Sequence, residues 1–322
     1  MWNLYDYYFK PGGGYFGTKK ALEPIHILYD YNTASIDVFN ATLAGATNYR
    51  ASVAIYGVPA LALIYSNAVT KTFPANASTP VFSISSVSGL TTTYLIRLRL
   101  ADASGHLVSE NVYVYSTSPD KLGTSTNWYH TSVSTYANLT GLNNLVANTN
   151  LTAIASRRIA GGQEAATIFL TNSSSSNIAY FVRAEITAGQ GGLEVVPILY
   201  SDNYITLWPG DSKTITATYA TSLLGGQAPF VRVSGYNVPT FTNTCAVAAD
   251  IHLNIQMNSD GSIMLAWNSD AAKAYQPEYV DDFTNVWSPL GLPMPGTGSN
   301  NTLLDTSGIE AEKFYRVREV VR

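Results

Sequence analysis

The feature that most restricts what this chain can fold into is strict alternation. From about residue 25 onward apolar and polar side chains exchange at every second position. Tyr49, Ala51, Val53 and Ile55 interleave with Arg50, Ser52 and Ala54, and Tyr94, Ile96, Leu98 and Leu100 interleave with Leu95, Arg97 and Arg99. Period two marks a strand with one buried face, because successive side chains leave it on opposite sides. Turn chemistry separates the runs: Asp102-Ala103-Ser104-Gly105 lies between two of them, and Ser259-Asp260-Gly261 between residues 251–257 and 262–267. Strands so closely spaced, with little helix between them, indicate antiparallel sandwiches rather than a parallel sheet.

Three strand-rich blocks follow from this pattern. The first runs from about residue 25 and ends in the alternating strand 111–116; a linker, Thr117-Ser118-Pro119-Asp120-Lys121-Leu122-Gly123, comes next. The second covers about 126–243, with strands expected near 151–156, 165–171, 178–187, 204–207, 214–219 and 230–235, and one helical turn at 136–145. The third is shorter and closes with Phe314-Tyr315-Arg316-Val317-Arg318. The expected boundaries are 1–24, 25–122, 123–244 and 245–322. A chain of 322 residues accommodates three domains only if each is small.

Residues 1–24 differ from the rest. Trp2-Asn3-Leu4-Tyr5-Asp6-Tyr7-Tyr8-Phe9 is dense in aromatics, Pro11-Gly12-Gly13-Gly14 reads as a flexible turn, and Thr18–Glu23 has room only for a short helix stopped by Pro24. The segment reads as the end of something larger. It is expected to be the least well anchored part, either folding back on the first sandwich or driving association through its exposed aromatics. Its removal is expected to leave the fold intact.

Composition excludes several classes of function. Only 12% of residues are charged, with a formal net charge of -4, so the basic stripe that a nucleic-acid binder needs is absent. Apolar residues make up 46%, enough to build cores. Cys245 is the single cysteine, which rules out an intrachain disulfide and a cysteine zinc cage. His26, His106, His130 and His252 are scattered without an HExxH pair, so no metal site is expected. The apolar run 51–65 is interrupted by Gly57 and Pro59 and falls short of the ~20 residues that span a bilayer, and the N-terminal residues lack the pattern of a signal peptide. No phosphate-cradling glycine loop, nucleotide fingerprint or nucleophile elbow is present, and no cofactor is expected.

Several stretches carry a resemblance. Trp2–Tyr8, then Gly14-Tyr15-Phe16-Gly17-Thr18-Lys19-Lys20-Ala21 and Glu23-Pro24, resemble the segment that closes the catalytic barrel of exo-β-D-glucosaminidases of glycoside hydrolase family 2. The resemblance continues through Leu98–Gly105, Asn111-Val112-Tyr113, Ser134–Asn143, Phe181-Val182-Arg183-Ala184 and Ser201–Asp211, covering roughly residues 1–240 in order. It implies a short remnant of a (β/α)8 barrel followed by immunoglobulin-like sandwiches. The block 245–322 looks like a fibronectin-type appendage of secreted bacterial polysaccharide enzymes.

For chemistry the resemblance implies an absence. Retaining glycosidases use two carboxylates about 5–5.5 Å apart, and in this family both lie on barrel strands upstream of Met1. Asp6 and Glu23 match neither, and Asp281-Asp282 and Glu310/Glu312 read as solvated loop charges. This chain alone is therefore expected not to be an enzyme. Trp2 aligns with an aromatic just after the eighth barrel strand, near where the family holds its sugar, or else belongs to the seam between barrel and sandwich. Tyr200, Tyr204 and Trp208 flank the Ser201-Asp202-Asn203 turn and are the candidates for an aromatic sugar platform, or else support a sandwich core. The implied role is a non-catalytic accessory region of a secreted or periplasmic enzyme acting on chitosan oligosaccharides, partnered with the catalytic barrel and touching glycan weakly. A free-standing carbohydrate-binding protein and a structural surface array are the other two readings.

Overall fold

The computed structural model describes residues 4–124, 129, 131–247, 251–270, 273–282, 285–297, 299–307 and 312–320. It separates into two compact units, Met1–Val247 and Ala248–Arg322. The architecture is all-β, as the alternation requires: each unit is built of sandwiched sheets.

The first unit opens with helix α1 (Gly13–Ala21) and the strands β1 (Ile25–Asp30), β2 (Ser35–Asn40), β3 (Ala46–Gly57), β4 (Ala62–Phe73), β5 (Ala77–Ser83), β6 (Thr93–Ala101) and β7 (Leu107–Ser116). They form two sheets, β1-β2-β5 and β4-β3-β6-β7. The predicted inward residues Ala51, Val53, Ile55, Ile96, Leu98 and Leu100 on one sheet meet Ile27, Ile36 and Val38 on the other. The short pair β8 (Lys121–Leu122) and β9 (Val133–Thr135) follows.

The second sandwich comprises β10 (Leu151–Ala160), β11 (Gln163–Asn172), β12 (Ala179–Ala188), β13 (Leu199–Tyr200), β14 (Ile205–Leu207), β15 (Ser212–Ala220), β16 (Pro229–Ser234) and β17 (Phe241–Val247). Their order is β13-β15-β11-β10-β17-β16-β12-β14. The expected helical turn at 136–145 is confined to a 3₁₀ turn, Thr140–Asn144. One ladder departs from the antiparallel expectation: β10 and β17 run parallel through Ala155↔Cys245 and Arg157↔Val247. β17 pairs with β16 through its first half and with β10 through its second. It thereby ties one sheet to the other, and the expected boundary at 244/245 falls inside this strand.

A third cluster joins the two sandwiches of this unit: Val58, Leu95, Leu142, Ile178 and Trp208. Gly141 permits the close approach, since a Cβ there would lie 2.8 Å from Thr93 Cβ. Thr93 Oγ1 also donates to the carbonyl of Asn138 at 3.0 Å. Arg97 crosses the seam, donating from Nε to Glu110 at 2.8 Å and from Nη2 to Asp211 at 2.6 Å.

Residues 4–24 are better anchored than the sequence suggests: α1 packs on the second sandwich, while Glu23 and Pro24 bond to the first. Gly13 and Gly14 are helical residues, and α1 ends at Ala21, capped by Leu22 shortly before Pro24. Phe16 is 4% exposed and belongs to the core of the second sandwich. Lys19 Nζ donates to the carbonyl of Tyr200 at 2.9 Å, and Lys10 lies 3.6 Å from Glu194. Tyr7, Tyr8 and Phe9 remain exposed.

The second unit has β18 (Leu253–Met257), β19 (Ile263–Asn268), β20 (Ala274–Val280), β21 (Ser288–Pro289), β22 (Met294–Pro295), β23 (Asn300–Asp305) and β24 (Phe314–Val320). The sheet β18-β19-β23 is accompanied by a second, in which β20 pairs with β21, β22 and β24. Its core is Ile263, Leu265, Trp267 and Tyr275.

Candidate functional site

The geometry that invites a functional reading lies in the first unit, where α1, the edge strand β7 and the strands β12 and β14 converge. β12 carries an irregularity between Ala179 and Val182. Within it Phe181 adopts a φ of +54°, and across the ladder Tyr204 adopts +53°. A left-handed backbone at two bulky aromatic residues is uncommon, and such strain concentrates at functional sites. Their rings lie 5.1 Å apart, Phe16 stands 5.9 Å from Tyr204, and the Arg183 guanidinium is 5.7 Å from the Tyr204 ring. Gly13 gives the helix room here: a Cβ would come within 3.1 Å of Phe181 Cζ.

These elements enclose a cleft of about 390 Å³, within the range of ligand pockets. Exposed aromatic surface lines it from both sandwiches, Tyr31 at 54% and Phe181 at 46%. Its charged lining comprises Lys20, Arg97, Arg99, Glu110, Asp202, Asp211 and Lys213. The carboxylates are already engaged. Glu110 and Asp211 serve Arg97, and Asp202 lies 3.1 Å from Lys213 and 3.9 Å from Lys20.

A buried acidic pair lies nearby. Arg183 Nη2 approaches Glu185 at 3.0 Å and Glu194 at 2.7 Å, and Arg232 Nε donates to Glu185 at 2.8 Å. Burial pushes Glu194 above the ordinary glutamate value, with the Glu185 charge adding to it against Arg183 and Lys10. Burial acts the same way on Glu185, but the Arg232 hydrogen bond and the charges of Arg183 and Arg232 outweigh it and hold that residue low. Divergent carboxyls resemble an acid and a nucleophile. Here the two share a clamping guanidinium on the sandwich.

Of the two readings of the aromatics around the Ser201-Asp202-Asn203 turn, sugar platform or core support, the geometry matches the second for Tyr200 and Trp208. Tyr200 is 3% exposed; its ring fills the core and its hydroxyl accepts from the Ile186 amide at 2.8 Å. Trp208 is 5% exposed, with the Arg97 guanidinium 4.5 Å from its ring and Tyr56 at 5.6 Å. Both rings have protein on their faces. Tyr204 alone of the three lines the cleft. Trp2 lies outside the described residues. Asp6 Oδ1 accepts the amides of Tyr8 and Lys10, closing its own loop, and Glu23 accepts from Ser109 Oγ. Asp281, Asp282 and Glu312 are exposed, and Glu310 lies outside the described residues. Phe181 and Tyr31 were not picked out by sequence reasoning. Only the Phe-Val-Arg-Ala stretch drew attention to the first, and nothing in a sequence announces a positive φ.

Residues 128–238 match the family described as the exo-β-D-glucosaminidase Ig-fold domain. The exo-β-D-glucosaminidase of Streptomyces avermitilis is 39% identical over 240 residues, which is 73% of this chain and 26% of that protein. The chain is a homologue of the exo-β-D-glucosaminidases. The enzyme of that name from Amycolatopsis orientalis is 37% identical over 244 residues, 75% of this chain and 24% of that one. In the crystal structure of the exo-chitosanase CsxA from Amycolatopsis orientalis the likeness extends to the fold. The TM-score is 0.71 at 38% identity, over 76% of this chain and 29% of that one. The chain thus spans about a quarter of the length of the curated exo-β-D-glucosaminidases it matches. No helix among the described residues is long and apolar enough to cross a membrane.

Proposed function

We propose that this chain is a non-catalytic accessory region of a glycoside hydrolase of the exo-β-D-glucosaminidase type, whose sandwiches brace a catalytic barrel. The observation that carries this reading is the seating of residues 4–24. The segment resembling the end of the barrel buries Phe16 in the core of the second sandwich and is tied down by Lys10 and Lys19. A barrel continuous with it would be held at a fixed orientation, as positioning of reacting groups requires. The acidic pair Glu185 and Glu194 is consistent with a structural role, because both carboxylates are committed to arginines. Membership of glycoside hydrolase family 2, action of the parent enzyme on chitosan oligosaccharides, its export from the cell and weak contact of this region with glycan belong to the same proposal.

The test is turnover of 4-nitrophenyl β-D-glucosaminide and β-D-mannoside by the purified chain, expected at background. Activity that survives repurification and disappears in Glu185→Gln or Glu194→Gln would make the acidic pair catalytic and overturn the reading.

A further inference from the structure

The chain carries a net charge of -4, yet the cleft between the two sandwiches has the opposite balance. Four cations and three carboxylates line it, and the excess sits at one place. Arg97 takes Glu110 at 2.8 Å and Asp211 at 2.6 Å, which leaves Arg99 with a contact of only 3.7 Å to the same Glu110. The Arg99 side chain is 47% exposed. A shallower trough of about 490 Å³ on the outer face of β3, β4 and β6 shares Arg97 and Arg99 with the cleft. It adds Arg50, exposed and with no carboxylate partner among the described residues. The register explains the alignment: Ser52 pairs with Arg99 and Arg50 with Ala101, so Arg50 and Arg99 sit diagonally across one ladder.

We propose that this cleft binds an acidic saccharide, a pyranose bearing a carboxylate. A guanidinium offers a planar fork of donors that matches a carboxylate in bidentate fashion, and Arg99 is the guanidinium whose fork is least used. Tyr31 and Phe181 supply exposed rings on which the C–H face of a pyranose packs. The left-handed backbone at Phe181 and Tyr204 holds that aromatic wall in place. The same charge balance disfavours protonated glucosamine, because the charge left unbalanced in the lining, on Arg99, repels an ammonium group. This inference is independent of the accessory-region reading, since a cleft of this chemistry serves a braced enzyme and a free binding protein alike.

The experiment uses the full chain, with calorimetric titration and saturation-transfer NMR against a galacturonate tetramer, cellotetraose and a glucosamine tetramer, at low salt and at about 0.3 M salt. The galacturonate tetramer is expected to bind at least tenfold more tightly than the glucosamine tetramer, and to retain measurable binding at the higher salt. Arg99→Gln is expected to weaken it by about tenfold, the loss of a charge-assisted hydrogen bond. Tyr31→Ser weakens it, with a melting temperature lowered only by the loss of the ring contacts to Tyr29, Tyr113 and Tyr115. Three results overturn the proposal: no binding of galacturonate, glucosamine bound as tightly, or galacturonate binding abolished by salt and indifferent to Tyr31→Ser.

Discussion

Trp208 shows how one residue can satisfy two sequence readings until its surroundings are known. Its neighbours in sequence suit a sugar platform, but its ring is packed against Val58, Leu95, Leu142 and Ile178, with Arg97 over one face. Trp208→Ala would open a cavity in the seam and cost roughly 3–5 kcal/mol. In a unit of this size that lowers the melting temperature by roughly 10 °C. Scanning calorimetry checks it, and an unchanged transition would mean the seam contributes little. Loss of glycan affinity in that variant would therefore report damage to the fold rather than a lost contact. Asp305 makes a second prediction. Burial alone would raise its pKa, but Lys313 Nζ, the Ser307 hydroxyl and amide, and the Tyr315 hydroxyl all donate to it and hold it far below the aspartate range. A carboxyl depressed in the folded state binds its proton more readily when unfolded. Its stabilising contribution is complete above the unfolded value near ~4 and is lost as pH falls below it. Acid titration followed by tryptophan fluorescence should show the second unit destabilised below about pH 4, and Asp305→Asn should flatten that dependence. A wild-type slope retained in the variant would assign the effect elsewhere.

Among elements, what the sequence made legible was the face of each strand, and what it left obscure was each element's neighbour. Alternation assigned Ala51, Val53 and Ile55 to the core because side-chain direction is local. The parallel pairing of β10 with β17 joins residues 155–157 to 245–247, and no local pattern encodes such a partner. The same limit explains α1. Pro24 marked where the helix ends, but Phe16 finds its pocket among residues of β12 to β14, far along the chain. The turn chemistry of Gly12-Gly13-Gly14 also misled, since Gly13 is helical and serves as a point of close approach to Phe181. The docking reverses the expectation that residues 1–23 are dispensable. Their removal uncovers the core around Tyr200 and Ile205 and strips Glu194 of Lys10, and Phe16→Ala alone should cost roughly 3–5 kcal/mol. Thermal melts of both variants check this. A truncated chain that melts with the intact one would show that α1 rests on the sandwich without supporting it.

At the scale of the whole molecule, the two units have separate cores, one centred on the sandwiches before Val247 and one on Trp267. The sequence pattern divides the chain after residue 24 into three strand-rich blocks, whereas the structure separates into two compact units. The expected last boundary at 244/245 lies within β17, which the first unit includes up to Val247. That difference has a measurable consequence. Unfolding enthalpy scales at about 0.7 kcal/mol per residue, so calorimetry of the chain should resolve two transitions with areas near three to one. The smaller belongs to the second unit and comes first, since domains of its size bury a lower fraction of their surface. A chain ending at Val247 should keep the larger transition at its original temperature. A chain ending at Thr244 should not: it loses the β10–β17 ladder, empties the space of the buried Cys245 side chain, and removes the carbonyl that Arg157 Nη1 reaches at 3.1 Å. An orphaned buried donor costs about 1–3 kcal/mol and the lost apolar burial adds about 1 kcal/mol. Together they should lower the larger transition by roughly 5–10 °C. Equal melting temperatures for the two truncations would show that the parallel ladder does not fasten the sheets together.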